Sequence, residues 1–233
     1  MACSAVDTEL ALRGARLTFH TDFARSDHTE LEIGKGSVMA RSRIAITGDG
    51  NVGSALARGL TRAGLEVRTV GKDKSAIRET AGWGEVVILA VPFGALDDVA
   101  KTAGGALEGK VVVDVTNALD RDMNLAIGFT TSGAEELQKK LPKSRVVKAF
   151  NTVFAKHMDT GKLGDQPLTV FVAGDDSGAK TTVLGLARDI GFNTVDAGSL
   201  KNARLLEPLG YFNIQLGYTI GLGTDIGFKL LHA

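Results

Sequence analysis

The most constraining feature of this chain is one six-residue run, Gly48-Asp49-Gly50-Asn51-Val52-Gly53. It spells G-x-G-x-x-G, but its flanks say more than its spelling. Before it stands the apolar run Ile44-Ala45-Ile46-Thr47, and after it residues 52–63 carry helical spacing. A strand that enters a glycine-rich turn and opens a helix is the context in which this pattern binds a dinucleotide. Each glycine then has its own task. Gly48 allows the tight turn, Gly50 lets backbone approach a pyrophosphate, and Gly53 lets the helix pack on the strand. The helix N-terminus offers unpaired N–H groups and a positive dipole end to phosphates. Asp49 is the one discordant residue, because an acid in this turn faces an anion unless it points to solvent.

From residue 43 onward the pattern is regular. Strand-length apolar runs fall at 43–47, 66–70, 86–91, 110–115, 145–149, 168–173 and 193–196, with helix-length segments at 52–63, 95–104, 134–140 and 177–190. Near-continuous Val/Ile/Leu/Ala runs suit strands buried on both faces. Alternation with helices predicts an α/β fold, a Rossmann-type doubly wound and mostly parallel sheet spanning 41–200. Residues 201–233 form a C-terminal helical segment. Its stretch 200–220 has length for one helix, but Pro208, Gly210 and Gly217 predict a kink or break. Its apolar excess suits either packing on the sheet or a dimer contact. Residues 1–40 are acidic, polar and without sustained periodicity, and are expected to be an extension with little order and little role in the chemistry.

Composition excludes several classes. Lys+Arg and Asp+Glu number 27 each, without the basic excess of a nucleic-acid binder. The single cysteine, Cys3, makes an internal disulfide impossible and a Cys-based zinc site implausible. The longest apolar run is too short to cross a membrane, and the first residues do not read as a signal peptide. A cytoplasmic location follows as an expectation. None of His20, His28, His157 and His232 pairs at metal-ligand spacing, so no metal is expected; His157 reads as a surface histidine on a helix.

Ligands of an open α/β sheet lie beyond the carboxyl ends of its strands. The end of the second strand, Val70-Gly71-Lys72-Asp73-Lys74, decides between NAD and NADP. Lys72 and Lys74 can meet a 2′-phosphate and Asp73 a ribose hydroxyl; two lysines favour NADP. Ala90-Val91-Pro92-Phe93 ends the third strand, and Phe93 either lies beside the nicotinamide ribose or joins the core. Asp114-Val115-Thr116-Asn117 ends the fourth, and Asn151 and Thr152 fall on the same rim. Residues 118–132 lack periodicity, as a lid or binding loop would.

These residues resemble the coenzyme F420-dependent NADP oxidoreductases, whose relatives include the cytoplasmic NADP-binding domains of the membrane ferric reductases called STEAP. The resemblance runs from about Arg43 to Leu231. It rests on Gly48–Gly53, Ala90-Val91-Pro92, Asp114–Asn117, Val146-Val147-Lys148-Ala149-Phe150-Asn151, Ala173-Gly174-Asp175-Asp176, Asp196–Leu200 and Ala203-Arg204-Leu205-Leu206-Glu207. It implies a Rossmann-type domain with a small C-terminal part, usually a homodimer, that passes hydride between NADP and a deazaflavin. Asp49, Gly50, Asn51 and Val52 would contact the pyrophosphate. Gly71 and Lys72 stand where the family often has Ser-Arg for the 2′-phosphate. Val91, Pro92 and Phe93 would flank the nicotinamide ribose, and Asn117, Asn151 and Thr152 would face the second substrate. Asn151 stands where deazaflavin-using members carry a histidine. No obligatory acid–base residue is expected, because hydride transfer needs proximity, orientation and exclusion of water. Alternatives are reduction of a flavin or a small carbonyl or imine compound, or a non-catalytic NADP-binding module that senses redox state.

Overall fold

The computed structural model describes residues 42–231. The expectations for 1–40, for Cys3, His20 and His28 and for His232 lie outside the described residues. The chain runs β1 (Arg43–Thr47), α1 (Asn51–Arg62), β2 (Glu66–Val70), α2 (Lys74–Trp83), β3 (Val86–Leu89), α3 (Leu96–Ala103), β4 (Val111–Asp114), α4 (Gly133–Lys140) and β5 (Arg145–Lys148). A two-stranded ribbon follows, β6 (Lys162–Leu163) with β7 (Gln166–Pro167), then β8 (Thr169–Gly174), α5 (Ser177–Ile190), β9 (Asn193–Asp196) and α6 (Ala203–Ile214). The main sheet has seven strands in the order β2-β1-β3-β4-β5-β8-β9, parallel except where β8 meets β5.

Side-chain alternation on the central strands builds two cores. Ile44, Ile46, Val86, Ile88 and Val113 face α1 and α5. Ala45, Val87, Leu89 and Val112 face α2, α3 and α4. The middles of β1, β3 and β4 are therefore apolar on both faces, as burial on both sides demands.

Helix starts follow local chemistry. Asp73 caps α2 by accepting from the Ala76 amide at 2.9 Å, and Asp176 caps α5 by accepting from Ala179 at 2.7 Å. Lys110 closes the far end of α2, donating to the carbonyls of Ala81, Gly82 and Gly84 at 2.5–2.7 Å. The single tryptophan, Trp83, ends α2 with the Arg68 guanidinium 4.3 Å from its ring centroid.

Three expectations need correction. Helix α2 went unanticipated, because only Ile77 and Ala81 of its ten residues are buried and its apolar stripe is thin. Of the kink or break expected from Pro208, Gly210 and Gly217, the break does not occur at Pro208. Pro208 lies inside α6, which runs on into a π-helical turn, Gln215–Thr219. A proline cannot bond the carbonyl four residues back, and that carbonyl, Arg204 O, instead accepts from Phe129 N–H at 3.2 Å. Finally, His157 is not a surface histidine. It is 6% exposed in a 3₁₀ turn, with Nε2 2.9 Å from the carbonyl oxygen of Thr224 on the C-terminal tail.

Candidate nucleotide-binding site

The strand order reverses between β1 and β3: the chain goes from β1 out to β2, then returns to β3 on the other side. Such a switch point opens a crevice at the carboxyl ends of the strands. Here the crevice is bordered by the glycine loop. Gly48 has φ +113, and a Cβ there would overlap the Ala90 carbonyl; a Cβ at Gly53 would overlap the Gly48 carbonyl. Both backbones approach too closely for any other residue. Gly50 differs: a Cβ there would meet nothing within 4 Å. Its openness faces the crevice rather than the fold. Helix α1 starts at Gly50 with no side-chain cap and no acid in its first turn, which leaves its amides available to an anion.

Two cavities meet at this loop. The larger, about 410 Å³, runs from Gly48, Asp49 and Gly50 to Gly71, Lys72 and Lys74, and is floored by Ile77 of α2 and Val99 of α3. The smaller, about 220 Å³, lies between Asn51 and Val52 on one side and Val115, Thr116 and Asn117 on the other. Gly50, Ala90, Val91 and Pro92 border both. Strand β3 stops at Leu89, short of the expected 91, which frees Ala90 and Val91 to form this shared wall.

The predicted residues separate accordingly. Gly48, Asp49, Gly50, Asn51, Val52, Gly71, Lys72, Ala90, Val91, Pro92 and Asn117 all border the crevice. Gly53 supports it from behind. Asp73 is committed to capping α2, where the Ala76 amide and the Ser75 hydroxyl hold its carboxyl below the usual range. Lys72 and Lys74 remain as the charged groups at that end, with the Asp49 carboxylate lying against Gly71. Phe93, Asn151 and Thr152 border neither cavity. The Phe93 ring packs on the core beside Gly133, at the start of α4. The Asn151 side-chain amide donates to the Leu206 carbonyl at 2.7 Å, and Thr152 is buried with its carbonyl accepting from Asn213 at 3.2 Å. Asp98 and Thr102 of α3 also border the larger cavity; no sequence signal marked them.

Beneath the rim lies a feature that sequence reasoning missed. Lys148 is fully buried between Asp114 at 3.0 Å and Glu207 at 3.0 Å. Glu207, from α6, also accepts from the Gly133 and Ala134 amides at the start of α4, at 2.8 and 3.1 Å. Burial pushes the Lys148 ammonium down, but the two carboxylates outweigh it and hold its pKa above the ordinary value. Among the described residues, no group of three or more His, Cys, Asp or Glu side chains is arranged to hold a metal, and no helix is long and apolar enough to cross a membrane.

A doubly wound sheet with this loop, these open amides and a crevice at the switch point defines a dinucleotide-binding fold of the Rossmann type. Sequence comparison narrows the class. The profile of the family described as NADP oxidoreductase, coenzyme F420-dependent, matches residues 76–118. The F420-dependent NADP reductase of Methanocaldococcus jannaschii is 33% identical over 159 residues, 64% of this chain and 68% of that protein. Metalloreductase STEAP3 of Rattus norvegicus is 32% identical over 180 residues, 72% of this chain but only 36% of the rat protein. A presumed F420-dependent NADP reductase from Arthrobacter sp. FB24, of known structure, superposes with a TM-score of 0.76 at 29% identity, covering 82% of this chain and 100% of that one. The chain belongs to the coenzyme F420-dependent NADP oxidoreductase family.

Proposed function

We propose that this chain binds NADP(H) across the two joined cavities and passes hydride between it and a deazaflavin of the F420 type. The observation that carries this reading is the shared wall, Gly50-Ala90-Val91-Pro92, which makes one crevice from the lysine end to the recess at β4. The amides opening α1 bind the pyrophosphate, and Lys72 and Lys74 take the 2′-phosphate. Val91 and Pro92 wall the nicotinamide end and exclude water from it. NADPH, when bound, supplies the hydride. The protein's part is to orient and to dry the site, and no side chain is asked to carry a proton.

One observation favours a second reading. Asn151 stands where deazaflavin-using members have histidine, and its amide donates to the Leu206 carbonyl at 2.7 Å and to Oδ1 of Asn117, on the recess, at 3.5 Å. A flavin, or a small carbonyl or imine compound, is the alternative acceptor. The reading also takes 41–200 as the nucleotide-binding unit and 201–233 as a small C-terminal part, in a cytoplasmic homodimer. The deciding assay mixes protein, NADPH and oxidised F420 and follows the deazaflavin's visible absorbance. Enzyme-dependent bleaching supports the F420 reading. NADPH binding without bleaching moves the assignment to the flavin or carbonyl acceptors, and failure of those as well leaves a nucleotide-sensing module.

A further inference from the structure

Beside the nucleotide crevice lies a third cavity that the hydride reading leaves unused. It measures about 350 Å³ and is bordered by Asn51 and Arg58 of α1, by Phe154 and Lys156 at the 3₁₀ turn, and by Tyr218 and Thr224. Asn51 also borders the recess at β4, so the two spaces adjoin at the start of α1. Among the described residues, the lining carries two cations and no carboxylate.

The walls of this cavity are held in place by contacts of their own. The Phe154 and Tyr218 rings meet edge to face, with centroids 5.7 Å apart. Tyr218 stands on the π-helical turn that extends α6, and such turns recur at functional sites. That turn packs on Phe154 so closely that a Cβ at Gly217 would overlap the ring. Thr224 is held to the buried His157, whose Nε2 lies 2.9 Å from the Thr224 carbonyl oxygen. Arg58 meets Asp159 through Nε at 3.3 Å, and Lys156 meets Asp225 at 2.7 Å. Neither acid lines the cavity. Exposed pairs of this kind are weak, and each cation keeps further N–H donors for an anion.

We propose that this cavity receives the anionic side chain of the second substrate, and that Arg58 and Lys156 select redox rings that carry a phosphate. The proposal rests on the hydride reading above and deepens it. It narrows the acceptor to phosphate-bearing flavins or deazaflavins, away from small neutral carbonyl or imine compounds. The ring occupies the recess at β4, and its side chain passes Asn51 into the basic cavity. The hydride given up by NADPH passes to the ring, and a proton from solvent completes the ring's reduction. Charge-assisted hydrogen bonds from a guanidinium and an ammonium to phosphate are the stronger kind, and a neutral side chain cannot make them.

The test is steady-state oxidation of NADPH by the full chain with two pairs of acceptors. One pair is FMN and riboflavin. The other is F420 and its deazariboflavin core, which lacks the phosphate-bearing tail. The pair that turns over identifies the ring, and the comparison within that pair tests the proposal. The expected result is a KM about tenfold lower for the phosphate-bearing member, with the gap closing as salt is raised. Arg58→Gln and Lys156→Gln should each remove most of that gap without changing NADPH affinity, and Arg58→Lys should keep part of it. Equal KM values within a pair overturn the proposal and leave the hydride reading standing. So does a gap that neither glutamine substitution reduces. If no acceptor is reduced, the acceptor reading fails and the proposal fails with it, while a parallel NADPH titration still tests the nucleotide reading by itself.

Discussion

At the scale of single residues, Gly50 separates folding from binding. Its backbone, φ −73 and ψ −171, suits any residue, and an added Cβ would meet no protein within 4 Å. Gly50→Val should therefore fold, losing about 1 kcal/mol at most as a poorer N-cap, while NADPH affinity falls by more than about tenfold, or ~1.4 kcal/mol. Melting curves beside a binding titration would show the split, and unchanged affinity would remove the loop from the site. Asp49 and Lys72 make an opposed pair at the β2 end. Asp49→Asn removes a like charge from the region assigned to the 2′-phosphate and should tighten NADPH by a few-fold, on the order of 1 kcal/mol or less, with NADH little changed. Lys72→Glu should weaken NADPH more than NADH. Both effects should shrink as salt is raised; equal responses of the two nucleotides would mean that neither residue reads the phosphate. Most of this rim was legible in the sequence, because turn chemistry and strand ends are local. Asn151 and Phe93 were not, because which way a rim residue turns depends on elements far along the chain. Phe150 takes φ +65, an unusual conformation for a bulky residue, just before Asn151, whose amide meets α6.

At the scale of elements, the buried cluster ties β4, β5, α4 and α6 together. Lys148→Met would leave two carboxylates facing each other without a cation. The loss should be about 3–5 kcal/mol, read as a lowered urea midpoint with little change in slope. Because the folded-state pKa of Lys148 is raised, its contribution is fully present below the unfolded lysine value and is lost as pH rises through the folded one. A second tie, Arg204 to Glu135, has two contacts of 2.8 Å. The Arg204 guanidinium lowers the Glu135 carboxyl, so this contribution exists above the unfolded glutamate pKa and fades as pH falls through the folded one. Glu135→Gln should lower the melting temperature at pH 7, with the gap closing in acid; a constant gap would point to packing instead of charge. The cluster was invisible in the sequence although its residues lie in Asp114–Asn117, Val146–Asn151 and Ala203–Glu207, runs that carry the family resemblance. Nothing local signals that three charges distant in sequence will meet in a dry interior. The runs at 173–176 and 196–200 prove to be caps and turns: Asp175 accepts from Leu200, Asp176 from Ala179 and Asp196 from Gly198.

At the scale of the whole molecule, alternation of buried residues specified the layered sheet almost completely. The reversal of β8 against β5 was not readable, since strand direction depends on the path between strands and not on their composition. The C-terminal part carries exposed Leu205, Phe212, Tyr218, Ile220 and Leu222. A second copy on this face predicts a dimer in sedimentation, converted to monomer by Phe212→Glu with the fold retained. A monomeric unaltered chain would refute the dimer.

Trp83 gives the molecule an internal light source. It is the single indole in the chain, and it sits at one end of α2 while Lys74 at the other end borders the larger cavity. Ten helical residues span about 15 Å, well within the reach of resonance energy transfer. Reduced nicotinamide absorbs where an indole emits. Occupancy of the crevice should therefore dim the native emission and kindle that of the nucleotide, with no dye, tag or engineered probe attached.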